Sequence, residues 1–220
     1  GNGTLSGSVK DDLLTFAKAH KIKVMPLVTN FGFGKEAYQG LLADPIKQDT
    51  AIAAMIAEAK KNKYWGWQFD FEEMDFASRA AFSDFVKKTA NMLHNEKLVL
   101  SVAVIAQTSE NPDDYPNNLW QRAVGVYDYA ALGASADFLS IMSYDDPTSK
   151  GPVAQYPWIV KVLEYASTVV PVSKLSLGIP FYYWQWNDDT GKRVGIGGKD
   201  GIYTALSKYR AVMHYSTEQQ

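Results

Sequence analysis

Gln68, Asp70 and Glu72 occupy alternate positions in the run Gly66-Trp67-Gln68-Phe69-Asp70-Phe71-Glu72, with Trp67, Phe69 and Phe71 between them. In an extended strand this alternation sends the three polar groups to one face and the three aromatic rings to the other. A row of Gln, Asp and Glu turned toward a core is costly to desolvate unless the groups are hydrogen-bonded and used. Neighbouring carboxylates push one pKa upward, so Glu72 can hold a proton near neutral pH, as a general acid must. The plainer reading, an edge strand with its polar side in water, sits poorly with the aromatic opposite face. A second group is Met142-Ser143-Tyr144-Asp145, where Met142 and Tyr144 share a face; alone, such a strand end often just closes a turn. A third is the stretch after Phe181, where Tyr182, Tyr183, Trp184 and Trp186 predict an aromatic loop of the kind that sugar rings stack on, although some of these rings could simply roof the core.

Short apolar runs that read as strands must place these groups: Ile22–Val28, ending at Thr29-Asn30, then Trp65–Phe71, Leu98–Val104, Phe138–Tyr144 and Leu175–Phe181. Helical spacing recurs between them, at Val9–Ala17, Ile52–Ala59, Phe82–Leu93, Ala123–Leu132 and Ile159–Ala166, and from about Tyr203 onward. Asp44-Pro45 has the form of an N-cap followed by a first-turn proline. Strand starts about 40 residues apart, joined by helices, predict βα units and a parallel sheet covered by helices. An open doubly wound sheet or a closed (β/α)8 barrel would satisfy this. The doubly wound nucleotide binder needs a glycine-rich turn leading into a helix. Asn30-Phe31-Gly32-Phe33-Gly34 lacks the third glycine and shows no helix start, so a simple turn is expected there. In a barrel, polar residues at the C-terminal strand ends form the site.

Composition removes other classes. With 22 Lys+Arg against 24 Asp+Glu, the 220-residue chain has no basic footprint for nucleic acid. No apolar run reaches the roughly 20 residues of a membrane helix. The absence of cysteine excludes disulfides, thiolate metal sites and a Cys nucleophile. His20, His94 and His214 are far apart without metal-ligand spacing, so no metal or other cofactor is expected.

The ordered motifs resemble glycoside hydrolase family 18, the chitinase-like (β/α)8 barrels. Gly66-x-x-Phe69-Asp70-Phe71-Glu72 is similar to the family's fourth-strand signature, Asp-x-x-Asp-x-Asp-x-Glu. Leu100–Val104 resembles the fifth strand, Met142-x-Tyr144-Asp145 the sixth, Gly178-x-Pro180-x-Tyr182 the seventh, and Lys23–Asn30 sits where the third would be. The overall flavour is nearest the bacterial spore-germination and cell-wall branch. The resemblance implies that Glu72 protonates the glycosidic oxygen, Asp70 orients a substrate 2-acetamido group that attacks the anomeric carbon, and Tyr144 hydrogen-bonds to that group. It further implies Asn30, Gln68, Met142, Asp145, Tyr182, Trp184 and Trp186 as sugar contacts. The family is an exception to the two-carboxylate scheme, and Asp70 and Glu72, two residues apart on one strand, cannot straddle a sugar as acid and nucleophile. The implied substrate is an N-acetylated polymer such as chitin or peptidoglycan, handled by a monomer outside the cell or at the cell wall.

The sequence departs from the signature at two places: Trp65 and Gln68 stand where it has Asp. Gln68 is expected to hydrogen-bond to Asp70 without sharing its charge, which predicts a lower Asp70 pKa than in the full signature and a shifted or narrower pH optimum. Trp65 is expected to pack at the lower end of the barrel. A catalytically silent carbohydrate-binding barrel is the alternative to an enzyme, and a binding domain for a small phosphorylated ligand is a weaker one. Because the motifs match strands three to seven only, residues 1–220 are expected to form a single, partial catalytic domain lacking strands one, two and eight, including the tryptophan usually found on the eighth.

Overall fold

A computed structural model describes residues 3–208 apart from Thr148, Lys150 and Asp188, together with Arg210 and Val212. Five strands, β1 (Leu27–Thr29), β2 (Gly66–Asp70), β3 (Val99–Ile105), β4 (Phe138–Met142) and β5 (Leu175–Leu177), pair in parallel in chain order. The connecting helices are α2 (Lys35–Leu42) and α3 (Pro45–Asn62) after β1, α4 (Arg79–Asn95) after β2, α5 (Tyr129–Ser135) after β3 and α6 (Tyr156–Val169) after β4; α1 (Asp11–Ala19) precedes the sheet. Five parallel strands in unbroken chain order, the first four each followed by a helix, fit the expected barrel strands three to seven. An antiparallel pair, β6 (Tyr183–Asn187) and β7 (Lys192–Gly197), and α7 (Lys199–Lys208) follow.

Alternation sorts β2 as the sequence predicts. Trp67, Phe69 and Phe71 are buried against α3 and α4, where Trp67 Nε1 donates to Met55 O (3.0 Å) and Phe69 stacks on Phe85. The other face carries Gln68, Asp70, Ser101, Ala103, Ser140 and Met142, a set small and polar enough to line a barrel interior. Gly66 pairs with Val99 on β3, and a Cβ there would lie 1.9 Å from Val99 O. The obstruction is backbone in a central strand, so it cannot rotate aside. Gly66→Ala is therefore expected to cost about 1–3 kcal/mol of unfolding free energy, read as a lower midpoint in a urea titration with unchanged slope.

Asp44 caps α3 by accepting from Ile46 N (2.9 Å) and Lys47 N (3.3 Å), with Pro45 in the first turn. Several expected boundaries move. The run Ile22–Val28 pairs as ladder only at Leu27–Thr29, because Pro26 has no N–H to give; Val24 O and Pro26 O still accept from Trp65 N and Gln68 N of the neighbouring segment. The fifth run stops at Leu177 before Pro180, and the fourth at Met142. The helix expected over Ala123–Leu132 is broken: a wide turn at Trp120–Val124 precedes α5, whose N-cap Asp128 accepts from Ala131 N (2.9 Å). The Trp120 ring folds over Gly125, where a Cβ would meet it at 2.6 Å. A helix does begin after the Asn30–Gly34 turn, α2, which buries Tyr38 completely. The aromatic stretch after Tyr182 is a strand rather than a loop.

Among the described residues, no helix is long and apolar enough to cross a membrane, and no three His, Asp or Glu side chains gather so as to hold a metal ion. His20 stacks on Phe16 after α1, and His94 Nε2 lies 2.9 Å from Asp137 Oδ2; His214 lies outside the described residues.

Candidate active site

β2 is flanked by β1 and β3, so it is an interior strand of the sheet, and its polar face is the one opposite α3 and α4. Asp70 is its last residue, and Glu72 lies two beyond it; both are half-buried. Asp70 Oδ1 is buried without a hydrogen-bond partner. Burial holds the Asp70 carboxyl above the ordinary aspartate range. Glu72 is also raised, first by burial and then by the charges of Asp70, Glu73 and Asp145. Desolvation therefore outranks the carboxylate pairing that the sequence suggested as the cause.

Gln68 does not serve Asp70 in the expected way. Its Oε1 accepts from Ser101 Oγ (3.1 Å), the residue directly across in register. A cross-strand neighbour is about 5 Å away, whereas positions i and i+2 on one strand are about 6.6 Å apart, so the hydroxyl is within easier reach. Trp65 fits the expected packing role: 37% exposed, it stacks on Phe138 at the start of β4, with Lys23 Nζ 4.5 Å from its ring centre.

Tyr144, just past β4, is half-buried; its phenol is raised by burial and then by Asp70, Glu72 and Asp145, which places it in the same electrostatic neighbourhood. Asp145 follows in a left-handed backbone conformation (φ 58°), and Tyr182 Oη donates to its Oδ1 (2.7 Å). The rings of Tyr144 and Tyr182 meet edge to face at 6.2 Å. Glu72, Met142, Tyr144 and Asp145 share the wall of a cavity of about 910 Å³, which extends past Ile105 and Tyr115 to Trp158 and Tyr165. Gln68, Asp70 and Tyr182 do not line this cavity, and neither do Trp184 and Trp186. The two tryptophans meet edge to face on β6, Trp186 Nε1 donates to Gly151 O (3.0 Å), and Arg193 covers Trp184.

Asn30 is placed differently from a sugar contact. It is 4% exposed, its Nδ2 donates to Glu72 O (2.8 Å) and its Oδ1 accepts from Glu72 N (2.9 Å). Tyr127, which sequence reasoning passed over, donates from Oη to Phe71 O (2.6 Å). Only the fold joins it to the site: 56 residues separate the pair, and the sequence places Tyr127 inside the helical spacing of Ala123–Leu132.

A parallel sheet of βα units with these residues at its strand ends defines a class, and the comparison with known families agrees. The sequence profile of Glycosyl hydrolases family 18 matches residues 8–220, and the chain belongs to that family. It is 28% identical over 218 residues to the uncharacterized glycosylase YvbX of Bacillus subtilis (strain 168), a match covering 96% of this chain and 61% of YvbX. The spore cortex-lytic enzyme SleL of Bacillus megaterium QM B1551 superposes with a TM-score of 0.84 at 25% identity, covering 100% of this chain and 51% of SleL. A chitinase from Chromobacterium violaceum ATCC 12472 superposes at 0.81 with 28% identity, covering 98% and 67%. The chain thus spans only about half to three fifths of the length of YvbX and SleL.

Proposed function

We propose that the protein is a glycosidase that cleaves β-1,4 bonds of N-acetylglucosamine-containing polymers by a retaining, substrate-assisted mechanism. The observation that carries this reading is the pairing, at one strand end, of a raised Glu72 carboxyl with a half-buried Asp70 that has an unpartnered oxygen. Glu72 gives its proton to the glycosidic oxygen as the C1–O bond breaks. The substrate's acetamido oxygen forms the new bond to C1, and Asp70 faces the acetamido N–H, where positive charge develops. The Glu72 carboxylate then takes a proton from water, whose oxygen attacks C1 and reopens the ring. Two inversions give net retention. Tyr144 serves as the hydrogen-bond partner of the acetamido group, and Met142 and Asp145 as the wall that holds the sugar, with Asp145 held in turn by Tyr182. The similar proteins named for chitin and for spore cortex support an N-acetylated polymer and a site of action at a cell wall, outside the membrane.

The test is proton NMR of the products of a β-linked N-acetylglucosamine oligomer, beside its N-deacetylated counterpart. The β-anomer is expected first from the acetylated oligomer, and no cleavage of the other. First appearance of the α-anomer, or equal cleavage of both, overturns the mechanism; binding without cleavage returns the protein to the silent carbohydrate-binding reading.

A further inference from the structure

The main-chain ladder between β1 and β2 ends where Thr29 faces Asp70. Glu72 lies beyond it, and Glu73 then turns away in a left-handed conformation (φ 54°). The backbone that carries Glu72 thus lies past the regular pairing that would fix it. Side chains replace that pairing. The Asn30 carboxamide takes both main-chain polar groups of Glu72, donating to its carbonyl and accepting from its N–H, as a neighbouring strand's peptide would. A primary amide offers a donor and an acceptor side by side in one plane, as a peptide group does, and Gln is one methylene longer than Asn. On the other side, Tyr127 donates to the Phe71 carbonyl from a fully buried position. Three hydrogen bonds from two elements therefore grip the Phe71–Glu72 segment.

We propose that Asn30 and Tyr127 are positioning residues for Glu72, extending the strand by side-chain bonds so that its carboxyl is held in one place at the strand end. This rests on the reading of Glu72 as the acid. With its carboxamide engaged by Glu72, Asn30 acts through that residue and not by touching the sugar.

The experiment compares Asn30→Ala, Tyr127→Phe and Glu72→Gln with the unaltered chain on an N-acetylglucosamine oligomer, and follows amide hydrogen exchange. Misplacement of a catalytic group lowers the chemical step, so kcat is expected to fall about 10–30-fold in Asn30→Ala and less in Tyr127→Phe, with KM within about threefold in both. The Glu72 amide is expected to exchange at least about 100-fold faster in Asn30→Ala, while amides within β2 and β3 keep their protection. If Asn30→Ala does not fold, Tyr127→Phe decides, since it removes one oxygen and leaves the ring. An increase in KM of tenfold or more at unchanged kcat overturns the proposal and makes Asn30 a substrate contact. Unchanged kcat together with an unchanged Glu72 amide overturns it as well. If Glu72→Gln is inactive while both other variants match the unaltered chain, this inference alone fails; if Glu72→Gln turns over normally, the reading beneath it fails too.

Discussion

Glu72→Gln is expected to lower kcat by about 10²–10⁴-fold on an N-acetylglucosamine oligomer, with KM nearly unchanged, because the amide keeps the shape of the carboxyl and lacks the transferable proton. Its pH dependence follows from the causes of the shift. Burial, then Asp70, Glu73 and Asp145, disfavour the charged form, so the acid survives above the ordinary glutamate range. Turnover in the unaltered chain is therefore expected to persist beyond that range and to fall as pH rises through the raised pKa. Stability runs the same way. A carboxyl whose folded pKa lies above its unfolded value stabilises the fold below the unfolded value, and that stabilisation is lost as pH rises through the folded one. The Gln variant has no such loss, so its Tm is expected to exceed that of the unaltered chain near pH 7, with the gap closing toward about pH 4. An inactive variant that is also the more stable one separates a lost proton from a damaged fold. Equal activity in the two proteins would remove Glu72 from the reaction.

How far the sequence reveals this site depends on whether the information is local. The face of β2 is local: period-two alternation put Trp67, Phe69 and Phe71 under the helices and Gln68, Asp70 and Glu72 on the other side, as found. The cap of α3 is local as well, since Asp44 needs only the next three residues to act. Helix α2 was missed because its N-cap is Gly34, which offers no side-chain acceptor, and because its buried Tyr38 lies within only eight helical residues. The β6–β7 hairpin was missed because aromatic density in Tyr183–Trp186 suits a strand as well as a binding loop, and the cue lay in Gly191, whose positive φ serves the turn.

Partnerships across strands were not legible at all. The Gln68–Ser101 bond depends on the β2–β3 register, and the Asn30–Glu72 pair on where two strands end relative to one another. Neither register nor relative length is written in one strand alone. The resemblance to a known family gave Asn30 a place at a strand end, and only the pairing of that strand showed what its amide holds.

Asp70→Asn is expected to lower kcat by about 10²–10³-fold, the scale on which removing one preorganised electrostatic contact to a developing charge is felt. The amide can still meet a polar group, but it cannot balance the positive charge that builds on the acetamido nitrogen. Asp70 also raises Glu72, so neutralising it lets Glu72 ionise more easily. The alkaline limb of the pH profile should therefore move to lower pH, whereas in Glu72→Gln that limb disappears. Stability again opposes function: Asp70 is raised by burial, its contribution is lost as pH rises through its folded pKa, and Asn in its place is expected to melt higher near neutrality. Because both residues act on one transition state, the double variant should lose little more than Glu72→Gln alone. A purely structural Asp70 predicts a lower Tm and a kcat that falls no further than the loss of folded protein explains. The two melting curves and kcat per folded molecule decide between the roles.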